Sequence, residues 1–163
     1  GAYCDYRLAP RAELDQQSAK DAIEGFAVFV NRFPDSPKVP EAQEYLNILQ
    51  NRLVEKSYLS ARLYYNMKQY KAAITALTNS LKEYSESKYR EEMMYLRLHS
   101  LYLYAEKSIP ARQRERFQET LDDYFSFMEE YPESKYSKEV QKIYDSTARY
   151  LNINPADNLE NNE

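Results

Sequence analysis

Three blocks of this chain share one internal spacing, and that repetition limits the fold more than any other feature of the sequence. The apolar positions Ile23, Phe26, Val30 and Phe33 recur as Ile74, Leu77, Leu81 and Tyr84, and again as Leu121, Tyr124, Met128 and Tyr131. Steps of three and four residues put each set on one face of a helix. Each block then ends in an aromatic, an acidic residue and a serine: Phe33-Pro34-Asp35-Ser36, Tyr84-Ser85-Glu86-Ser87 and Tyr131-Pro132-Glu133-Ser134. The aromatic is expected to close the buried stripe, and the serine oxygen to cap orphan N–H groups of the next helix. Glu41, Glu91 and Glu92 follow in first turns, where the helix dipole favours negative charge. The blocks are offset by 51 and 47 residues. Such a period belongs to arrays of helix pairs, in which each unit buries its apolar face against its neighbours. The predicted fold class is therefore all-α, an α-solenoid.

Pro34, Pro37, Pro40, Pro110, Pro132 and Pro155 punctuate a chain that has only two glycines, Gly1 and Gly25. They divide it into helices at 17–32, 39–67, 70–84, 88–106, 111–131 and 135–152, with a helical stub at 2–6 and a polar, acidic tail at 153–163 that is expected to fray. Grouped by the repeat, the units run over about 1–36, 37–87 and 88–134, with a closing helix at 135–152. Ala42, Leu46, Leu49, Leu53, Ala61 and Tyr64 form a nearly continuous seam with no Gly or Pro after Pro40, which predicts one long helix serving two successive repeats. Small residues at Ala61, Ala73 and Ser80 let two antiparallel helices approach closely, and Tyr64 and Leu77 are expected to fill the gap between pairs. With these residues, 54–87 resembles a tetratricopeptide (TPR) repeat. Lys56-Ser57-Tyr58 departs from that pattern where it places a bulky residue, often Trp. In the third unit Phe127 stands at the position of Ser80, so the helices there must pack differently.

Chemistry-bearing residues are scarce. One His and one Cys preclude a two-His metal site and a zinc knuckle, and the lack of glycine precludes phosphate-cradling loops. No catalytic, metal or cofactor site is expected, and the chain reads as a non-enzyme. His99, within Arg97-Leu98-His99-Ser100-Leu101, reads as a satisfied helix histidine. A net charge of −4, with Glu106, Glu115 and Glu119 interleaved among the cations, argues against nucleic acid. Binding surfaces remain. Tyr58, Tyr65, Tyr95, Tyr102 and Tyr104 could line a groove for extended peptide, although tyrosine also serves as inter-helix packing with its hydroxyl at the rim. Tyr102 and Tyr104 stand two apart on a helix and cannot both face one core. Arg112, Arg114 and Arg116, with Lys107, gather at a loop and a helix start. Cations there oppose the dipole, which suits an acidic partner surface or lipid headgroups as well as a plain solvated face. Tyr65, Tyr102, Tyr104, Arg112, Arg114 and Arg116 are the candidate partner-binding residues.

Four stretches carry a more specific resemblance. They are Ala2-Tyr3-Cys4-Asp5-Tyr6 with Pro10-Arg11 and Leu14-Asp15-Gln16-Gln17; Phe33-Pro34-Asp35-Ser36-Pro37 running into Glu41-Ala42; Leu53-Val54-Glu55-Lys56 to Ala61-Arg62-Leu63-Tyr64-Tyr65; and Ala73-Ile74 to Tyr84. In these the chain resembles the BamD family, the TPR lipoproteins of the outer-membrane β-barrel assembly machinery. The resemblance implies a C-terminal fragment that lacks the signal peptide, the acylated Cys and the first repeats. Cys4 would not be the acylated residue, because Tyr3 precedes it. It further implies a scaffold at the periplasmic face of the bacterial outer membrane, lipid-anchored in the full-length protein. Its partners would be the periplasmic domain of the barrel-inserting core subunit (BamA-like), other assembly-complex lipoproteins and nascent outer-membrane proteins. The open alternatives are another periplasmic TPR adaptor of the cell envelope or division apparatus, a glycan-binding TPR-type lipoprotein, which the absence of Trp disfavours, and a helical hydrolase, for which a triad, a metal set and a phosphate loop are all lacking.

Overall fold

Every regular element among the described residues is a helix. The computed structural model describes residues 11–152, with side chains from Gln16 onward; the stub at 2–6, Cys4 and the tail at 153–163 lie outside the described residues. In chain order the helices are α1 (Arg11–Arg32), α2 (Val39–Asn66), α3 (Tyr70–Glu83), α4 (Arg90–Glu106), α5 (Pro110–Glu130) and α6 (Ser137–Leu151). The all-α class and the TPR-like helix pairs are as the repeat predicts. The chain falls into two compact units, divided between Lys56 and Ser57 inside α2.

The first unit holds α1 and the first part of α2. Its buried apolar residues are Ala42 and Leu53, and Phe26 stacks on Tyr45 with centroids 5.9 Å apart. Phe33 was expected to close a buried stripe but is 52 % exposed. Its ring meets Phe29 and Arg32 at the end of α1, just before it.

The second unit carries the larger core. Ala61 and Ala73 are fully buried where α2 meets α3, and Ser57 donates a 2.9 Å hydrogen bond to Ser80 across the same seam. Small side chains thus bring these helices together, as the TPR pattern requires. α4 packs against α3, α5 and α6. That position explains why it buries Met93, Met94, Leu96, Leu98, Ser100 and Ala105 around most of its circumference instead of along one stripe. Phe127 of α5 and Val140 and Ile143 of α6 complete one core cluster; Ala105, Phe117, Leu121, Tyr144, Ala148 and Leu151 form a second.

Two readings from the sequence change here. Leu77 is fully buried, as expected, but Tyr64 is 38 % exposed, and its neighbour Tyr65 turns inward. The buried face of α2 runs through Tyr58, Ala61 and Tyr65, at steps of three and four; Tyr64 stands one residue, or about 100°, off that line. The serines also act differently. Ser36, Ser87 and Ser134 each accept a hydrogen bond from the backbone N–H two residues on, at 3.3, 3.2 and 3.0 Å. Those donors, Lys38, Tyr89 and Tyr136, immediately precede α2, α4 and α6. Each serine therefore closes the turn that leads into a helix and caps no N–H group inside it, which also explains why α4 and α6 begin two residues later than predicted. The turns align Tyr89 on Tyr58 (centroids 4.0 Å, interplanar 2°) and Tyr136 on Tyr95 (4.3 Å, 4°).

Candidate functional site

The α2–α3 turn and the α4–α5 turn lie side by side at one end of the second unit. Both are tight. The first places Lys68 at φ 59°, in the left-handed region that glycine fills without strain. In the second, Pro110 starts α5 with the fixed φ that suits a first helical position. Lys107 bridges the two turns, its ammonium 4.9 Å from the centroid of the Tyr70 ring. Arg116 reaches back to donate a 2.6 Å hydrogen bond to Ser108 Oγ, and its guanidinium sits 4.3 Å from the centroid of Tyr104. Ser108 Oγ in turn donates to the Tyr104 carbonyl.

These groups bound an open cleft of about 1120 Å3. Lys68, Lys71, Lys107, Arg112 and Arg116 line it, and no Asp or Glu does. Tyr64, Tyr70, Tyr104 and Ile109 supply its apolar surface, with Ile109 65 % exposed. Arg112 makes a 3.3 Å surface pair with Glu115, of the kind that contributes little in water. The helices that begin at the cleft, α3 and α5, have no acidic residue in the first turn and no side-chain cap, whereas α2, α4 and α6 carry acidic residues there. Their N-terminal dipoles thus add to the positive potential of the side chains.

Of the six candidate residues, the structure brings Tyr104, Arg112 and Arg116 together in this cleft. Arg114 is exposed on α5 and is not among the lining residues. Tyr102 and Tyr104 diverge, as their spacing requires. Tyr102 packs against both core clusters and lies 6.0 Å from the Phe117 centroid. Tyr65 is half-buried, its hydroxyl 2.6 Å from His99 Nδ1 and its ring edge-on to Tyr70. Lys68, Lys71, Tyr70 and Ile109 line the cleft without having been among the candidates, and Tyr64, read as filling the gap between pairs, lines it too. Lys68 offered a signal, since a non-glycine residue occupied a tight helix–helix turn in a glycine-poor chain.

His99 sits between the Tyr65 and Tyr95 rings, at 5.7 and 5.9 Å. Burial lowers its pKa below the ordinary 6.5, and the charge of Glu106 opposes that shift. The same burial pushes Tyr95 up to about 12. As pH falls through 6.5, the unfolded chain takes up a proton at His99 that the folded chain refuses. Stability is therefore expected to decline as pH drops from 6.5 toward the lower folded-state value. His99→Gln should flatten that part of the profile, read from urea midpoints at about pH 7.5 and about pH 5.5. An unchanged slope in the variant would place the titration elsewhere.

Among the described residues, no group of three or more His, Cys, Asp or Glu converges to hold a metal ion, and no helix is long and apolar enough to cross a membrane. Comparison with known families gives two overlapping matches to the family YfiO, described as an outer membrane lipoprotein, over residues 3–94 and 61–151. No curated protein matches the chain.

Proposed function

Because the chain belongs to the YfiO family of outer membrane lipoproteins, the BamD family, we propose that it is a non-enzymatic scaffold subunit of the outer-membrane β-barrel assembly machinery. Family membership places it at the outer membrane, with a general part in outer-membrane assembly. In the finer reading it works at the periplasmic face, held there by a lipid on the full-length protein. It docks on the periplasmic domain of the barrel-inserting core subunit and presents surfaces to companion lipoproteins and nascent barrel proteins. The repeat units at about 1–36, 37–87 and 88–134, with the closing helix at 135–152, are the proposed modules of that scaffold.

The observation that carries this reading is the family match, which runs through both halves of the chain. The described structure is compatible with it. Stacked helix pairs offer extended surfaces for partners, and the turns between helices add exposed, variable positions to them. Tyr104, Arg112 and Arg116 are proposed to face a partner, together with exposed Arg114; Tyr65 and Tyr102 are proposed to support that surface from the interior.

Isothermal titration of the chain with the soluble periplasmic domains of its own organism's core subunit tests the docking step. A dissociation constant in the micromolar range or tighter is expected, about −8 kcal/mol or better. No heat of binding at several hundred micromolar would remove docking on the core subunit from the proposal.

A further inference from the structure

We infer that the cleft between the α2–α3 and α4–α5 turns receives an extended acidic protein segment, its carboxylates meeting Lys68, Lys71, Lys107, Arg112 and Arg116 and an apolar side chain resting on Tyr64, Tyr70 and Ile109. The inference rests on the scaffold reading in one respect, that the segment belongs to a protein partner.

Three observations carry it. The first is charge. The whole chain is net negative, at −4, yet this cleft gathers five cations and no carboxylate. Like charges held together repel, so the arrangement favours an anionic occupant. Arg116 is already oriented by Ser108 and the Tyr104 ring, so it loses little freedom on gripping a carboxylate. Lys107 is likewise steadied by Tyr70.

The second is shape. The cleft is open and runs along two turns, with exposed aromatic and aliphatic surface between the cations. A small anion would leave that apolar surface uncovered. A peptide that alternates carboxylates with apolar residues would cover both, in the manner of acidic-motif recognition by basic clusters.

The third is strain. Lys68 keeps a left-handed conformation that a lysine adopts only at a cost, in a turn where glycine is the default. What lysine adds over glycine there is an ammonium on the cleft.

The experiment uses fluorescence anisotropy on the full chain. The probe is a labelled peptide of about twelve residues that alternates Glu or Asp with Phe and Leu; a matched peptide carries Gln and Asn in place of the acids. The acidic peptide should bind, and binding should weaken several-fold between about 50 and about 300 mM salt. The Lys71→Gln/Arg112→Gln chain should bind roughly tenfold more weakly, and a Lys138→Gln/Lys142→Gln control on α6 should stay within roughly twofold. Lys68→Gly should melt about 2 °C higher while binding the peptide several-fold more weakly, a combination that a purely structural lysine would not give. Equal binding of the neutral peptide, equal loss in the α6 control, or unchanged affinity in Lys68→Gly would overturn the inference. So would a chain that ignores the peptide but binds phosphatidylglycerol–phosphatidylcholine vesicles through Lys71 and Arg112, since the occupant would then be a lipid surface. The core-subunit titration is run on the same variants. Core-subunit binding without peptide binding sinks the cleft assignment alone, and peptide binding without core-subunit binding sinks the docking reading alone.

Discussion

Replacing Phe127 by alanine is expected to destabilise the chain by about 4 kcal/mol and to lower the thermal midpoint by about 12 °C. Phe127 is fully buried in the cluster that joins α3 and α4 to Val140 and Ile143 of α6, and its ring lies 5.7 Å from that of Tyr131. Its main-chain carbonyl also accepts the Tyr131 N–H that ends α5, so the residue sits where the helix stops and the turn begins. Truncation removes the ring from a fully buried site on a helix packed between α4 and α6, which cannot both close on the void, so the cavity cost adds to the lost burial. Thermal and urea unfolding followed by circular dichroism read the effect. The repeat offers an internal contrast. Ser80 occupies the equivalent position, yet it is buried against α2 and hydrogen-bonded to Ser57. Ser80→Ala should cost only about 1 kcal/mol, the net value of that bond. Equal losses at the two positions would mean that the ring of Phe127 carries no more of the core than the Ser80 hydrogen bond does, against the burial argument.

That pair of residues also marks what the sequence could and could not disclose. A serine and a phenylalanine at one repeat position pointed to different packing of two helix pairs, and the two side chains are buried differently, Ser80 on a hydrogen bond to Ser57 and Phe127 by its ring. The blocks at 51 and 47 residues announced the helices themselves, since spacing of three and four is a local property of one chain segment. What the spacing could not settle was rotation. Tyr64 and Tyr65 are both plausible on the inner face of a helix with a wide apolar stripe. Only the approach of α3, through Ala73, on Ala61 decides that Tyr65 points inward and Tyr64 toward the cleft. The cleft was half legible for a related reason. Lys107, Arg112 and Arg116 lie close in sequence and could be seen as a group. Lys68 and Lys71 come from the α2–α3 turn and the start of α3, some forty residues earlier, and their meeting depends on the register between helix pairs, which no local pattern encodes. Repeated chemistry at the inter-unit turns was on view in Ser87-Lys88-Tyr89 and Ser134-Lys135-Tyr136. Those tripeptides seat the Tyr58–Tyr89 and Tyr95–Tyr136 stacks, with each lysine ammonium 5.2 or 5.3 Å from the centroid of the tyrosine beside it.

Asp123→Ala should cost about 3 kcal/mol, through a mechanism unlike that at Phe127. Arg97 of α4 and Asp123 of α5 pair at 2.9 Å, both largely shielded from water, and Arg97 Nε is buried with no partner of its own. Removing the carboxylate strands a guanidinium that cannot shed its proton. The loss therefore reports an uncompensated charge, more than the worth of the bond. Burial holds the Asp123 pKa above its ordinary value of 3.8, against the pull of Arg97. The folded chain thus takes up this proton more readily than the unfolded one, and stability at this residue rises as pH falls through that window. The sign at this residue is opposite to that at His99. The double change Arg97→Met/Asp123→Leu supplies apolar volume and removes both charges, so it should recover to within about 1 kcal/mol of the parent. A thermodynamic cycle on urea midpoints measures the coupling. If the double variant instead loses the sum of the two single losses, the pair is not coupled. The α4–α5 contact would then rest on its buried apolar residues, Phe117, Leu121 and Phe127 among them, and on the Arg90–Glu130 pair.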